Sequence, residues 1–414
     1  MNNISVCIIT KNEEKYIEDC LKSVTSITDD IIVLDTGSTD KTVEISSKYA
    51  SVYNSSWTGS FSDAKNKSIS YAKGKWIINL SADERLTKSC QENLKSFLNS
   101  LDSYQQPIII YFKVFEYSNN GNYLTSYLKD YIFNTGYGTK YIRPIHEYLN
   151  CENKDVLRLT APFLDIIHIG ETRTKEELFD KKNKYISQLL DLIKHNPDRL
   201  DNYYYYRHLG DEYFETEQHD KSLQAYYSSY ELMIEANHDK TSSFYQSVIS
   251  RIIKELIFFH KNYEKALIFL EEQLGIFPKS PEALFHFGYC KNRLGEYEIG
   301  ISSHIKALSL LDKNEINKSI ISNLNIEIGR FSIINGNNNG IDNLLEAHSL
   351  FPKSKPIIRH IIRYYLINNQ KNQAMVFLHK INSSYSETDL LIELKKELHW
   401  EKQEIQSIFP NLTL

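Results

Sequence analysis

The first 85 residues repeat one plan, in which a short apolar run is followed by a cluster of polar residues. The apolar runs are 4–9, 31–34 and 76–80. The polar clusters that follow them are 10–14, 35–40 and 81–84. After the first cluster, apolar residues recur at helical spacing at Ile17, Cys20, Leu21 and Val24, and a similar pattern follows the second. This alternation predicts an α/β fold with a mostly parallel sheet and right-handed crossovers.

The three polar clusters are predicted to meet at one edge of that sheet, because the strands before them run in parallel. In the second cluster, Gly37 permits a tight turn and Thr39 or Asp40 can cap the next helix, which favours a bound anion. The third cluster places Asp83 and Glu84 just beyond a buried strand, where a hard metal ion carrying a phosphate can bind. The alternative is that this acidic pair forms a solvated turn or begins a helix.

The tetrapeptide at 35–38, Asp-Thr-Gly-Ser, is also the active-site motif of aspartic proteases. Those enzymes need two such carboxylates that share a proton. The chain contains one copy, and a helical pattern follows it, whereas the protease requires an all-β context. The protease interpretation is therefore rejected.

Four ordered blocks resemble the family 2 glycosyltransferases with the GT-A fold. The blocks are Thr-Lys-Asn-Glu-Glu at 10–14, Asp-Thr-Gly-Ser-Thr-Asp at 35–40, Phe-Ser-Asp-Ala-Lys-Asn at 61–66 and Ser-Ala-Asp-Glu at 81–84. The resemblance implies a Rossmann-like GT-A domain with a UDP-sugar donor, in which the first block lines the nucleoside, the second faces the nucleobase and the third faces the diphosphate. The implied nucleotide-sugar-binding residues are Thr10, Asn12, Glu13, Asp35, Gly37, Ser38, Lys65, Asn66, Ser81 and Ala82.

The resemblance also implies a divalent metal at the fourth block. Asp83 matches the second acid of the family's Asp-x-Asp motif, whereas Ser81 stands where the first acid is usual and offers a weaker hydroxyl ligand. His168 closes an apolar strand and, with Gly170, resembles the family's His-x-Gly signature, so it is the predicted second metal ligand. A structural histidine is the alternative. Imidazole suits Mn²⁺ better than Mg²⁺, and either ion remains a candidate.

A His-Glu pair at 146–147 resembles the family's block near the acceptor. Inverting transfer needs a base that takes a proton from the acceptor, and either His146 or Glu147 can serve near neutral pH. The alternative is an ion pair between Glu147 and Arg143 within the same loop.

From Lys175 onward the strand signals vanish and an irregular repeat of about 34 residues appears. Its best register aligns Gly210, Lys254, Gly288, Ile328 and Ile362. Small residues recur twelve positions later, where two helices of a pair would approach closely, at Ser222, Ala266, Gly300, Gly340 and Ala374. The pattern resembles a tetratricopeptide (TPR) array. The predicted domains are therefore a GT-A domain at 1–174 and an all-α TPR-like domain at 175–414.

The composition narrows the partners and the compartment. A net charge of −5 and a pI near 6.3 give no overall attraction to nucleic acid. The five cysteines lack paired spacing, so neither a zinc site nor a disulfide framework is predicted. We expect no membrane span, because no apolar run reaches ~18 residues, and no secretory signal, because the chain starts with polar residues. The expectation is a cytoplasmic enzyme, with a homodimer formed through the helical domain.

A family 2 transferase joined to a TPR-like array resembles the sublancin-type bacterial enzymes, which glycosylate Cys or Ser side chains of ribosomally made bacteriocins. The implied reaction is inverting transfer of a hexose, with glucose as the first expectation, from a UDP-sugar to a peptide. A thiol with a pKa near 8.5 needs only a modest base. Two rivals remain open: a transferase that builds a cell-surface or lipid-linked glycan, and an inactive transferase-like TPR scaffold.

Overall fold

The computed structural model describes residues 3–117, 123–152, 155–169, 175–314, 317–370, 372–374 and 376–377. The chain divides into two compact units, Met1–Asp191 and Leu192–Leu414. The predicted boundary at 174/175 stays a prediction. Gly170 and residues 378–414 of the predicted helical domain lie outside the described residues.

The N-terminal unit is built on an eight-stranded mixed sheet. The strands of the whole unit, including the two outside this sheet, are β1 (Ile4–Thr10), β2 (Ile31–Asp35), β3 (Ser51–Asn54), β4 (Trp76–Ser81), β5 (Glu84–Leu86), β6 (Ile108–Tyr117), β7 (Tyr123–Asn134), β8 (Lys140–Ile142), β9 (Tyr148–Asn150) and β10 (Leu157–Ile169). Its helices are α1 (Ile17–Val24), α2 (Thr42–Ser46), α3 (Phe61–Ile69) and α4 (Lys88–Ser100), and α5 (Lys175–His195) follows. The strand order is β3-β2-β1-β4-β7-β6-β10-β5, while β8 and β9 pair separately.

The parallel half of the sheet confirms the prediction that the polar clusters meet at one edge. Strand β1 lies between β2 and β4 and is parallel to both, with Thr10 opposite Asp35 and Ile9 opposite Ser81. The loops that follow these strands therefore begin side by side. The second half of the sheet is mixed, because β7 and β5 run antiparallel to their neighbours.

Both faces of the central strands are covered, which explains why they read as continuous apolar runs. Val6, Ile8 and Trp76 belong to the core on one face, whereas Cys7 and Ile77 belong to the core on the other. Each large apolar side chain buried in this way contributes roughly 1.5–3 kcal/mol.

The helices of this unit follow the predicted pattern with small shifts. Helix α1 buries the predicted Ile17, Cys20, Leu21 and Val24. Helix α3 spans Phe61–Ile69 and carries the block at 61–66, and the Ser60 side chain caps it by accepting a hydrogen bond from the Asp63 amide.

The C-terminal unit consists of packed helix pairs. Its helices are α6 (Asn202–Glu215), α7 (His219–Glu235), α8 (Ser243–Lys254), α9 (Tyr263–Ile276), α10 (Pro281–Arg293), α11 (Tyr297–Ser309), α12 (Lys318–Ile334), α13 (Gly340–Leu350) and α14 (Lys355–Ile367). A π-helical turn, Glu255–Phe259, extends α8. We call the first helix of each pair an A helix (α6, α8, α10, α12, α14) and the second a B helix (α7, α9, α11, α13).

Small residues bring the paired helices together, as the repeat register predicts. A Cβ atom added at Gly288 of α10 would lie 2.7 Å from the carbonyl oxygen of Gly300 in α11. In the fourth pair the prediction is wrong by one residue, because Gly329, not Ile328, faces Gly340. The reason is spacing: Gly329 and Gly340 are eleven residues apart, whereas Gly288 and Gly300 are twelve apart. In the part of the chain that the structure describes, no helix is long and apolar enough to cross a membrane.

Candidate active site

Asp83 and His168 meet at the carboxyl edge of the sheet although 85 residues separate them. Strand β10 runs antiparallel to β5 and places His168 opposite Glu84. The Nε2 atom of His168 consequently lies 3.3 Å from Oδ2 of Asp83, and its Nδ1 atom lies 3.7 Å from Oε1 of Glu116 on β6. The structure thus brings together the two residues that the sequence assigns to the metal.

The two side chains favour each other's charged forms. Burial alone would raise the pKa of Asp83, but the hydrogen bond and positive charge of His168 lower it below its usual value. Burial alone would lower the pKa of His168, but Asp83, Glu84 and Glu116 raise it. The pair is therefore electrostatically suited to hold a cation in place of the histidine proton.

The geometry fits a divalent metal with few protein ligands. Two neighbouring ligands of an octahedral ion, each about 2.1 Å from the metal, lie about 3 Å apart, close to the 3.3 Å between Oδ2 of Asp83 and Nε2 of His168. No group of three or more His, Cys, Asp or Glu side chains within the described residues is arranged to hold a metal ion. Diphosphate oxygens and water would have to complete the shell, as is usual for Mg²⁺.

Glu84 anchors the turn that carries Asp83. Its carboxylate is buried and accepts hydrogen bonds from the Ser81 amide at 2.7 Å and from the Tyr131 hydroxyl, while Lys129 Nζ lies 3.5 Å from Oε1. Burial and the negative charge of Glu84 raise the pKa of Tyr131 well above its usual value, so the hydroxyl stays a donor. Ser81 is held through its backbone amide, and its carbonyl oxygen accepts a hydrogen bond from the Cys20 thiol at 3.4 Å.

Tyr131 and Lys129 are site residues that the sequence analysis missed. The pairing of β7 with β6 shifts between Ile132 and Asp130, which leaves Tyr131 at a β-bulge. A bulge redirects a side chain in a way that strand alternation does not predict. The available signal was the charged pair Lys129 and Asp130 inside a strand whose other residues are uncharged.

The blocks at 10–14 and 35–40, which are predicted to face the nucleotide, are joined by hydrogen bonds. Oδ2 of Asp35 accepts hydrogen bonds from the Gly37 amide at 3.0 Å and the Ser38 amide at 2.9 Å. The backbone amide of Asn12 donates to the Ser38 hydroxyl at 2.8 Å. The side-chain Oδ1 of Asn12 accepts from the backbone amide of Thr39 at 2.7 Å. Gly37 adopts φ +109°, a backbone conformation that glycine reaches without the strain a side chain would cause. The Glu13 amide and the Thr10 hydroxyl belong to the first of these two blocks, and Thr10 is the last residue of β1. The Glu13 amide bonds the Thr42 hydroxyl at 2.8 Å, while the buried Thr10 hydroxyl has no hydrogen-bond partner among the described residues.

Lys65, in the middle of α3, forms an ion pair with Glu147. Lys65 Nζ lies 2.8 Å from Oε1 of Glu147 and 4.5 Å from the centre of the Tyr141 ring. The neighbouring Asn66 donates to the Tyr141 carbonyl at 2.8 Å and accepts from its amide at 2.9 Å. Asn66 therefore fixes strand β8, and its predicted contact with the diphosphate stays a prediction.

His146 adopts a left-handed backbone conformation beside this pair. Its φ is +53°, and its ring centre lies 6.2 Å from that of Tyr185. A positive φ is uncommon for residues other than glycine and clusters at functional sites. The structure thus places both predicted base candidates after β8, with Glu147 held by Lys65.

A mixed, mostly parallel sheet with a carboxylate–histidine pair beyond its strand ends defines an α/β protein with a candidate active site at that edge. Residues 5–149 match the family model for glycosyl transferase family 2. This part of the N-terminal unit is therefore similar to the family 2 glycosyltransferases, as the sequence blocks imply.

Curated proteins are similar to parts of this chain. A TPR repeat-containing protein of Synechococcus elongatus is 32% identical over 36% of this chain and 36% of its own length. An uncharacterized glycosyltransferase of Rickettsia bellii is 42% identical over 22% of this chain and 31% of its own, and the SPbeta prophage-derived glycosyltransferase SunS of Bacillus subtilis is 32% identical over 28% of each. The chain thus spans about a third of the length of these curated relatives. A solved tetratricopeptide repeat protein of Parabacteroides merdae covers 57% of this chain and 90% of its own with a TM-score of 0.43 and 16% identity.

Proposed function

We propose that this protein is an inverting glycosyltransferase that moves a hexose from a UDP-sugar to a Cys or Ser side chain of a peptide. The observation that carries the proposal is the pair of Asp83 and His168, 3.3 Å apart beyond the carboxyl ends of the strands. The family 2 domain at 5–149 supports the transferase class. The peptide acceptor follows from the resemblance of the whole domain arrangement to bacteriocin-modifying enzymes.

Asp83 and His168 are the proposed holders of Mn²⁺ or Mg²⁺. When bound there with the diphosphate, the ion supplies positive charge beside the leaving group. The Ser81 hydroxyl remains available as a weaker ligand for this ion. Lys65, paired with Glu147, is proposed to face the diphosphate, and Lys129, paired with Glu84, lies beside the turn that carries Asp83.

The donor nucleotide is proposed to occupy the locked loops. Asp35 with Gly37 and Ser38 forms a rigid turn, so little conformational entropy is lost on binding. The buried Thr10 hydroxyl supports this placement, because a nucleoside would supply the hydrogen bond that the described residues do not.

Glu147 is the proposed base, with His146 as the second candidate. The acceptor sulfur or oxygen attacks the anomeric carbon as its proton passes to the base, and the bond to the β-phosphate oxygen breaks to release UDP. The ion pair with Lys65 holds the Glu147 carboxylate in one orientation for this transfer.

The test is mass spectrometry of small cysteine-containing peptides after incubation with UDP-sugars and Mn²⁺, in parallel with UDP release. We expect Asp83→Asn and His168→Ala to lower both signals about 100-fold or more. Asp102→Asn is the control, because Asp102 is a partly exposed partner of Lys75. Transfer to lipid-linked acceptors alone would refute the peptide acceptor, and no metal-dependent UDP release by the wild type would refute the transferase.

A further inference from the structure

Strand β7 has two neighbouring strands over only a short stretch. Residues 132–133 pair with β4 on one side and with β6 on the other. From residue 123 to residue 130, before the β-bulge at Tyr131, the strand pairs with β6 alone within the described residues. The side of β7 that faces away from β6 is therefore an open sheet edge over this stretch. We call residues 123–128 the β7 edge.

The β7 edge has main-chain hydrogen-bonding groups that no second strand uses. In an antiparallel pair, every second residue directs its N–H and C=O groups away from the neighbouring strand, so about three of the six residues do so here. No backbone hydrogen bond joins residues 123–128 to a segment other than β6 in the part of the chain that the structure describes. Six extended residues span about 20 Å. The edge can therefore accommodate a partner strand of about six residues.

The composition of the β7 edge favours the addition of a strand. Its sequence, Tyr-Leu-Thr-Ser-Tyr-Leu, contains no charged residue, proline or glycine. Sheet edges are usually protected by short strands, charged side chains or proline. The two outermost strands of the sheet, β3 and β5, follow that rule with only four and three residues. On the β7 edge, by contrast, Tyr127 and Leu128 are 40% and 57% exposed, so apolar surface and unpaired main chain coincide.

One end of the β7 edge lies beside the candidate active site. Lys129, the next residue of the strand, places its Nζ atom 3.5 Å from Oε1 of Glu84. Tyr127 is two residues earlier and therefore faces the same side of the sheet. Burial and the negative charges of Glu84, Glu116 and Asp83 raise the pKa of Tyr127, while Lys129 opposes them. The Tyr127 hydroxyl is thus near enough to the carboxylates of the site to interact with their charge.

The register of the sheet decides which way an added strand would direct its side chains. Thr125 lies opposite Glu116 of β6, and Glu116 lies opposite His168 of β10. Directly paired residues of neighbouring strands have their side chains on the same side of the sheet. A residue that pairs with Thr125 or Tyr127 from the open side would therefore direct its side chain to the side that carries Glu116 and His168. Its backbone would lie about 5 Å from β7.

We propose that the β7 edge binds an extended segment of the acceptor peptide as an additional β-strand, with the reactive side chain on the side of Glu116 and His168. Main-chain hydrogen bonds supply the affinity in this mode of recognition, so the edge accepts segments of different sequence. A second copy of this chain fits less well, because it would cover the edge without delivering an acceptor to the site beside it. That the segment belongs to the acceptor rests on the function proposed above, whereas the addition of a strand does not.

The first test changes the peptide and leaves the protein intact. Fluorescence anisotropy measures binding of a labelled, uncharged nine-residue peptide of Thr, Gln and Val around a central Cys to the full-length protein without a sugar donor. Three N-methyl groups on consecutive residues block both edges of the peptide and should weaken binding about tenfold or more. Three N-methyl groups on alternate residues leave one edge open and should weaken it less than about threefold. Equal losses, or no saturable binding of the unmethylated peptide up to about 1 mM, would overturn the proposal.

A matched pair of variants locates the binding surface. Thr125→Lys/Leu128→Lys adds two charges to exposed positions of the β7 edge and should weaken peptide binding about tenfold, because charged side chains oppose strand addition. Thr25→Lys/Tyr104→Lys adds the same charges at exposed positions after α1 and α4 and should change binding less than about twofold. Circular dichroism and the melting temperature check that both variants fold. Equal losses of binding in the two variants would refute this location.

Two further measurements separate this proposal from its alternatives. Sedimentation velocity determines the oligomeric state, and a wild-type dimer that Thr125→Lys/Leu128→Lys converts to a monomer would overturn the proposal in favour of pairing between two copies. Metal-dependent UDP release from the donor needs no peptide, so it tests the transferase independently. UDP release without peptide binding would refute the β7 edge as a binding site, whereas peptide binding without UDP release would support the edge and refute the transferase.

Discussion

The ammonium group of Lys65 lies 2.8 Å from a carboxylate oxygen of Glu147, and the two side chains are only 9% and 17% exposed. Eighty-two positions separate them in sequence, so the fold has to bring the helix after β3 and the loop after β8 together. The pair joins a residue predicted to face the diphosphate to a residue predicted to act as the base. It therefore links the predicted donor side of the candidate site to the predicted acceptor side.

Breaking this ion pair on one side should destabilise the N-terminal unit. Lys65→Met leaves a largely buried carboxylate without its partner, which costs about 3 kcal/mol or more, whereas Lys65→Met/Glu147→Met should recover most of the loss. Urea unfolding followed by tryptophan fluorescence measures both. Lys75→Met is the control, because the Lys75–Asp102 pair is 35% and 40% exposed and should contribute less than about 1 kcal/mol. A double variant as unstable as the single one would contradict this account.

Removing the Tyr131 hydroxyl should loosen the turn that carries Asp83. Tyr131→Phe deletes a hydrogen bond to the buried Glu84 carboxylate, with an expected cost of about 1–3 kcal/mol. Because Glu84 also accepts from the Ser81 amide, the affinity for Mn²⁺ measured by calorimetry should fall about tenfold. The exposed Tyr104, changed to Phe, should leave both quantities unchanged. A drop in stability with full metal affinity would show that Glu84 does not position Asp83.

Gly288 should not tolerate a side chain. A Cβ atom there would lie 2.6 Å from the His304 ring and 2.7 Å from the Gly300 carbonyl, so Gly288→Ala must push α10 and α11 apart at a cost of about 1–3 kcal/mol or more. Gly275→Ala is the matched control within a helix, because nothing lies within 4 Å of its added Cβ. That change should stabilise the protein by up to about 1 kcal/mol. Thermal unfolding by circular dichroism distinguishes the two; equal effects would argue against the close approach.

Acid should weaken the contact between α10 and α11. Burial lowers the pKa of His304 to about 4, although the hydrogen bond to the Phe285 carbonyl at 3.0 Å opposes this. The pKa of His304 in the folded state lies below its value near 6.5 in the unfolded state. At pH values between the two, the unfolded state therefore binds more protons than the folded state. The contribution of neutral His304 to the free energy of unfolding is therefore fully present above about pH 6.5. It falls by about 3 kcal/mol as the pH drops toward 4.

Hydrogen exchange of α10 and α11 peptides at pH 7 and pH 4.5 can measure this change. The variant His304→Gln keeps a hydrogen-bond donor but cannot titrate, so its stability should depend less on pH than that of the wild type. Identical pH dependence in the two proteins would exclude His304 as a source of acid sensitivity.

Much of the N-terminal fold was predictable because its signals are local. Apolar runs at 4–9 and 31–34, each followed by polar residues and a helical pattern, are confirmed as β1 and β2 with α1 and α2 behind them. The edge at which Asp35 and Asp83 lie follows from parallel pairing alone. In the helical unit, the spacing of Gly288 and Gly300 predicts a close pair, but an eleven-residue spacing moves the next contact to Gly329.

By itself, the sequence determined which residue types stand at each strand end, since the strand and turn signals depend on neighbours along the chain. Only the tertiary structure decided that His168 meets Asp83, that Lys65 meets Glu147 and that Tyr131 reaches Glu84. These contacts depend on strand order, register and one β-bulge, which arise from the packing of distant segments and have no local pattern.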